Sequence, residues 1–75
     1  MIEIEYNLML AERMGRKRET LDVGAPEIHL RRLEELLGLS DDDVGMLFIN
    51  KKWAPLDSFI PDGSFVQLFP DTEGG

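Results

Sequence analysis

The sequence places strand-like alternation near both of its ends, with one helical pattern between them. From residue 2 to residue 10, apolar side chains occupy every second position. A period of two over this length predicts a strand with one buried face. The stretch 64–69, SFVQLF, repeats the pattern, and Pro70 is expected to end it because proline cannot continue a hydrogen-bonded ladder. Any fold for this chain must therefore accommodate two strands that lie far apart in the sequence.

The middle of the sequence contains the one convincing helical pattern. Leu30, Leu33 and Leu37 follow the spacing i, i+3, i+7, which gives a single apolar stripe. Pro26 fits the first turn of a helix, where a missing N–H is tolerated. Gly38 is placed to end the helix in a left-handed conformation. The pattern predicts a helix that begins near Pro26 and ends at Gly38.

The remaining apolar runs are short and predict strands or core-covering connections. Residues 55–63 are interpreted as a connection whose Leu56, Phe59 and Ile60 fill the core beneath it, and Trp53 is expected to cover part of the core. The predicted order is β-β-α-β-β-β. The five predicted strands are residues 2–10, 19–23, 46–50, 52–54 and 64–69.

This order predicts an α+β chain with the β-grasp, or ubiquitin-like, architecture. A mixed sheet of four to five strands would pack on one main helix, with the first and last strands parallel in its centre. We expect one domain over residues 1–70. Residues 71–75 would form a flexible tail that ends in Gly74 and Gly75.

Composition excludes several classes of function. The 75 residues include no cysteine, so neither a disulfide framework nor a thiolate metal site is available. The net charge is −7, from 15 acidic and 8 basic residues, which argues against a nucleic-acid-binding face. No stretch approaches the roughly 18 consecutive apolar residues of a membrane span. We expect a cytoplasmic protein with no nucleic-acid or membrane partner.

The alternation also predicts a surface for partner binding. If Val66 faces the helix, then Phe65 and Phe69 face outward, and the same logic turns Phe48 outward from the third strand. Together with Pro70, these aromatic side chains would form an apolar patch near the start of the tail, as is typical of interfaces. The alternative is a register shifted by one residue, which would bury them.

No arrangement of side chains indicates catalysis or metal binding. His29 has no second ligand nearby in sequence and is expected to be structural. The run Asp41-Asp42-Asp43 lacks the spacing of a calcium loop.

The motifs taken together resemble a known family. The stretches NLMLAERMGRKRETLDV, GAPEIHLRRLEELLG, FIN and LDSFIPDGSFVQLFP, followed by Gly74-Gly75, occur in the order typical of the MoaD/ThiS sulfur carriers. The likeness covers nearly the whole chain and is greatest to the small, sulfur-carrier subunit of molybdopterin synthase. Asp71-Thr72-Glu73 stands where that subunit usually has a second proline and small apolar residues.

The resemblance implies a carrier and not an enzyme. A ubiquitin-activating-type enzyme would use ATP to adenylate the carboxylate of Gly75, and sulfur would then replace AMP to give a thiocarboxylate. Gly74 would keep the terminus unhindered. The sulfur would pass to a larger catalytic subunit of molybdopterin synthase or an equivalent acceptor enzyme. The carrier itself would bind no cofactor and no metal.

Three alternatives remain open at this point. The chain could be a ubiquitin-like modifier that is conjugated to lysines through Gly75. It could carry sulfur for thiamine or another sulfur metabolite. It could also be a β-grasp interaction module with an inert tail.

Overall fold

A computed structural model describes residues 1–71 of the chain, so the predicted site residues Gly74 and Gly75 lie outside the described residues. The elements in chain order are β1 (Ile2–Tyr6), α1 (Met9–Met14), β2 (Arg18–Leu21), β3 (Glu27–His29), α2 (Leu30–Leu37), a 3₁₀ turn at Asp41–Asp43, β4 (Met46–Ile49), β5 (Lys52–Ala54), β6 (Phe59–Pro61) and β7 (Phe65–Phe69).

The main sheet has five strands in the order β2-β1-β7-β4-β5. The central strands β1 and β7 run parallel, with Ile4 opposite Val66. The other three pairings in this sheet are antiparallel. The predicted mixed sheet, with the first and last strands parallel at its centre, is therefore confirmed, and the α+β chain has the β-grasp fold.

The core lies between one face of this sheet and the helix α2. Alternate residues of β1 and β7 point into it, as the period of two predicted, and Leu30 and Leu33 meet them from α2. Every one of these side chains is almost completely removed from solvent. The fully buried apolar residues are Ile2, Ile4, Leu30, Leu33, Leu47, Ile60, Val66 and Leu68.

The first predicted strand was too long. It ends at Tyr6, and a short helix, α1, follows. The break lies at Leu8, whose φ of 56° and ψ of −130° fit no strand, and whose side chain is 63% exposed. Leu10 and Met14 then pack against the core from one side of α1, which ends at Gly15 with a left-handed φ of 72°.

The predicted start of the main helix was also wrong. The helix α2 begins at Leu30, and Pro26 lies before it. The intervening residues form β3, which pairs with β6 as a separate two-stranded sheet and brings Ile28 opposite Ile60. Burial of these two isoleucines favours strand pairing over another helical turn. The predicted end is confirmed, since Gly38 has a left-handed φ of 80°.

His29 has the structural role that was predicted for it. It is the N-cap of α2, and its Nδ1 accepts a hydrogen bond from the backbone N–H of Arg31 at 3.1 Å. Its ring also contacts Phe59 edge-on, with 5.0 Å between centroids. Phe59 is 58% exposed, so its predicted burial was wrong, whereas Leu56 and Ile60 do pack into the core.

No helix within residues 1–71 is both long enough and apolar enough to cross a membrane.

One carboxylate of α2 is buried. Glu34 is only 1% exposed, and Arg31 donates to both of its oxygens at 3.2 Å. Arg31 also pairs with Asp41, which links α2 to the 3₁₀ turn. Burial is the largest influence on Glu34 and raises the pKa of its carboxyl group, against the opposing effect of Arg31.

We expect Glu34→Gln to raise the free energy of unfolding at pH 7. A raised pKa in the folded state means that folding favours the protonated, neutral carboxyl group. The advantage of the variant should therefore be present above the folded-state pKa and should vanish below about 4.5, the ordinary pKa of glutamate. Urea unfolding of both proteins between pH 3 and pH 8 measures this difference.

The control is Glu35→Gln, which removes an exposed carboxylate from the same helix. If Glu34→Gln lowers stability at pH 7 and Glu35→Gln does not, the ion pair with Arg31 outweighs the cost of burial.

Candidate functional site

The candidate site is the root of the tail, where β7 ends. The carbonyl oxygen of Leu68 accepts hydrogen bonds from the backbone N–H of Asn7 at 3.0 Å and from its side-chain amide at 3.3 Å. On the other side, the carbonyl oxygen of Phe69 accepts one from the N–H of Gly45 at 2.8 Å. Both neighbours of β7 thus hold its last two carbonyl groups. Pro70 follows, has no N–H to extend the ladder, and ends the strand as predicted.

A cleft of about 260 Å³ lies beside this root. One wall comes from α1, a second from the 3₁₀ turn, and the chain leaving β7 closes it. An ion pair between Arg13 and Asp43 joins the two walls. Hydrogen bonds from the backbone of Ser40, then its hydroxyl and the nearby Arg13, lower the pKa of Asp43. The lining residues are Met9, Leu10, Arg13, Asp42, Asp43, Pro70 and Asp71.

The sheet face that points away from α2 carries the predicted aromatic residues. Phe48 and Phe69 are partly buried against each other, with ring centroids 5.5 Å apart and an angle of 65° between the rings. Such an edge-to-face pair stabilises a surface aromatic cluster. The predicted outward orientation of Phe48 and Phe69 is therefore confirmed. The alternative register is excluded because Val66 and Leu68 are fully buried.

Phe65 lies on the same face but in different surroundings. The guanidinium carbon of Arg18 lies 5.4 Å from the centre of its ring, within the range of a cation–π contact. Arg18 in turn donates to Glu3 at 2.9 Å and to Glu5 at 3.1 Å. Gln67 donates to Glu5 at 2.9 Å, and this hydrogen bond is the largest influence that lowers the pKa of Glu5. Phe65 thus belongs to a polar half of the face.

The other half, which we call the aromatic half, includes two residues that the sequence reasoning did not assign to the site. Trp53 is opposite Phe48 on the neighbouring strand, and Met46 is opposite Phe69. Trp53 is 65% exposed, so the prediction that it covers the core was wrong. The period of its own strand predicts that Met46 faces outward, whereas the position of Trp53 beside Phe48 depends on the register of the β4–β5 hairpin. The aromatic half consists of Met46, Phe48, Trp53 and Phe69.

The titratable groups with shifted pKa values have structural partners. Burial, followed by a hydrogen bond to Glu19, raises the pKa of Tyr6 above its ordinary range. The N-terminal ammonium group lies 2.6 Å from Asp62 and lowers the pKa of that carboxyl group. Over residues 1–71, no group of three or more histidine or carboxylate side chains is arranged to hold a metal ion.

Comparisons with known proteins establish the fold. The chain is similar to SAMP1 from Haloferax volcanii, with a TM-score of 0.72 and 23% sequence identity over 99% of this chain and 98% of that one. It is also similar to a putative molybdopterin converting factor, subunit 1, from Pyrococcus furiosus, with a TM-score of 0.65 and 21% identity over 95% and 97% of the two chains. No protein-family model and no curated protein matches the sequence.

Adjacent residues of β7 should respond differently to truncation. Leu68→Ala should lower the free energy of unfolding by about 2–5 kcal/mol, because it opens a cavity in the core. Phe69→Ala should cost only about 1 kcal/mol, because it removes one side of a surface aromatic pair. Chemical denaturation of the two variants measures the difference. If both variants lost the same free energy of unfolding, the side chain of Phe69 would belong to the core and would not be available for partner binding.

Proposed function

We propose that the chain is a sulfur carrier of the MoaD/ThiS type and that its sulfur is used in the biosynthesis of molybdopterin, the organic part of the molybdenum cofactor. The observation that carries the proposal is the position of Gly74-Gly75, a few residues beyond the point where the central strand β7 ends at Phe69. Two further observations support it: the β-grasp fold, and the likeness to a putative molybdopterin converting factor, subunit 1.

The proposed reaction begins at the carboxylate of Gly75. A carboxylate is a poor electrophile, so it first attacks the α-phosphorus of ATP in a partner enzyme, and pyrophosphate leaves. Sulfide then attacks the carbonyl carbon of the acyl-adenylate, and AMP leaves with the bonding pair, which produces the thiocarboxylate. When the donor is a persulfide, a thiol reductant cleaves the sulfur–sulfur bond of the acyl intermediate. The thiocarboxylate sulfur finally attacks an electrophilic carbon of the acceptor and displaces an oxygen leaving group. Water then cleaves the resulting thioester, which leaves the sulfur on the acceptor and restores the Gly75 carboxylate.

The carrier contributes geometry to this reaction, and its partners contribute the catalytic groups. The fixed φ of Pro70 restricts the direction in which the tail leaves the sheet. Residues without side chains, such as Gly74 and Gly75, can enter a narrow channel and adopt backbone angles that other residues cannot. ATP belongs to the adenylating enzyme, and the carrier binds no cofactor of its own.

The aromatic half is the proposed docking surface for the partners. It combines the predicted residues Phe48 and Phe69 with Met46 and Trp53, and it adjoins the tail root at Pro70. Phe65, which was also predicted to bind partners, lies outside the aromatic half, in the polar half at the far end of β7 beneath Arg18. The two proposed partners are a ubiquitin-activating-type adenylating enzyme and a larger, catalytic sulfur-acceptor subunit. A net charge of −7 would steer the carrier toward basic partner surfaces.

A ubiquitin-like modifier is the second candidate, because it requires the same first step. The acyl-adenylate of Gly75 would then pass, through a partner, to a lysine amine instead of to sulfide. The product is an amide-linked conjugate of higher mass. Thiamine or another sulfur metabolite is a further possible destination for the sulfur within the carrier proposal.

Intact-mass spectrometry tests the proposal directly. After incubation with ATP, sulfide and a ubiquitin-activating-type adenylating enzyme, we expect the mass of the carrier to rise by the replacement of one oxygen by sulfur. A chain that lacks Gly75 should remain unchanged. A ladder of conjugates in a cell extract, without the thiocarboxylate, would favour the modifier. No change of either kind, with an enzyme that is active on a control carrier, would leave an interaction module with an inert tail.

Removal of the indole of Trp53 tests the docking surface. We expect Trp53→Ala to lower kcat/KM for adenylation by about 10- to 30-fold, as is typical of an aromatic anchor in an interface. Phe59→Ala is the matched control, because Phe59 is a similarly exposed aromatic residue on the separate β3–β6 sheet. Equal rates for both variants would place the interface elsewhere.

A further inference from the structure

Gly45, just before β4, lies in close contact with the chain that leaves β7. A Cβ atom built on Gly45 would lie 2.6 Å from the Cα of Asp71, 3.0 Å from its backbone nitrogen and 3.0 Å from the carbonyl oxygen of Pro70. All three neighbours are backbone atoms, so no side chain can rotate away to make room. The space that a side chain of residue 45 would fill is therefore occupied by the root of the tail.

The glycine at position 45 is explained by its close contact with residues 70 and 71, and not by its own backbone conformation. Gly15, Gly24, Gly38 and Gly63 have left-handed φ values, and a Cβ atom on any of them would meet nothing within 4 Å. Gly45 is the reverse case among the described glycines: its φ is one that any residue can adopt, but its Cβ position is blocked. Its N–H simultaneously donates to the carbonyl oxygen of Phe69.

A side chain at residue 45 would move the tail before it moved the strand. Val44 on one side of Gly45 is 2% exposed, and Leu47 shortly after it is fully buried, so both hold β4 in place. Pro70 is only partly buried and Asp71 is exposed, and they lie beyond the last strand. The segment with less buried surface gives way first.

We infer that Gly45 is a positioning residue that sets the path along which the tail leaves the sheet. Its lack of a side chain lets Pro70 and Asp71 cross closely over the start of β4, which turns the chain in one direction. The inference rests on the proposed function where it concerns adenylation, since the direction of the tail then decides how the Gly75 carboxylate enters the partner. It concerns a contact within this chain and needs no particular sulfur acceptor.

Gly45→Ala is the test, with two readouts. Nuclear Overhauser contacts between the α protons of residues 45 and 71 are expected in the wild-type chain and should be lost in the variant. In ATP–pyrophosphate exchange with the adenylating enzyme, kcat/KM should fall by about 10- to 100-fold, because small misplacements of a reacting group have effects of this size. The melting temperature should change less than in Gly38→Ala.

Gly38→Ala is the control for stability. It introduces strain at a left-handed φ at the end of α2, away from the tail root, so it should lower the melting temperature and leave the exchange rate of the folded protein unchanged. Pro70→Gly provides the rescue experiment. With φ freed at residue 70, the chain can pass around a methyl group, so Gly45→Ala should lower the exchange rate only a few-fold in that background.

The outcomes separate the inference from the proposed function. Retained contacts between residues 45 and 71 in Gly45→Ala would overturn the inference, and so would lost contacts with an unchanged exchange rate. Absence of exchange with the wild-type chain would overturn the proposed function. The contacts between residues 45 and 71 would then decide by themselves whether Gly45 directs the tail.

Discussion

The parallel pairing of β1 with β7 is the constraint on which the rest of the structure depends. It brings strands from near the two ends of the sequence together at the centre of the main sheet, so that the other three strands of that sheet add outside them. It also decides where the tail begins. Because β7 has a neighbour on each side, Asn7 and Gly45 can hold its last carbonyl groups from opposite directions. An edge strand would have offered only one such support.

The same alternation in β7 builds both the core and the proposed docking face. Val66 and Leu68 are fully buried, and the residues on either side of them point to the opposite face. A shift of one residue in the pairing of β7 with β1 would expose the residues that are now buried and bury the residues beside them. Burial of the aliphatic residues therefore fixes the orientation of Phe69.

Sequence patterns correctly predicted those features of the fold that are determined by residues close together in the chain. The alternation in β1 as far as Tyr6 and in β7, the leucine stripe of α2 and the left-handed end at Gly38 were all correct for this reason. The helix α1 was missed because Leu8 and Leu10 continue the strand alternation, and the break at Leu8 occurs in a conformation that leucine rarely adopts. The pair β3–β6 depends on contact between Ile28 and Ile60, which lie far apart in sequence.

The same contrast applies to the candidate site. Some of its features follow from the pattern of a single strand, and others depend on contacts between residues far apart in the sequence. The outward orientation of Phe48 follows from the period of its own strand, whereas the role of Gly45 depends on backbone atoms at residues 70 and 71.

Under the proposed function, one tail must enter two different active sites in turn, so the partners compete for it. Each complex must then dissociate before the next one forms. A docking surface of a few aromatic side chains beside the tail root suits such successive, short-lived complexes better than a large permanent interface would.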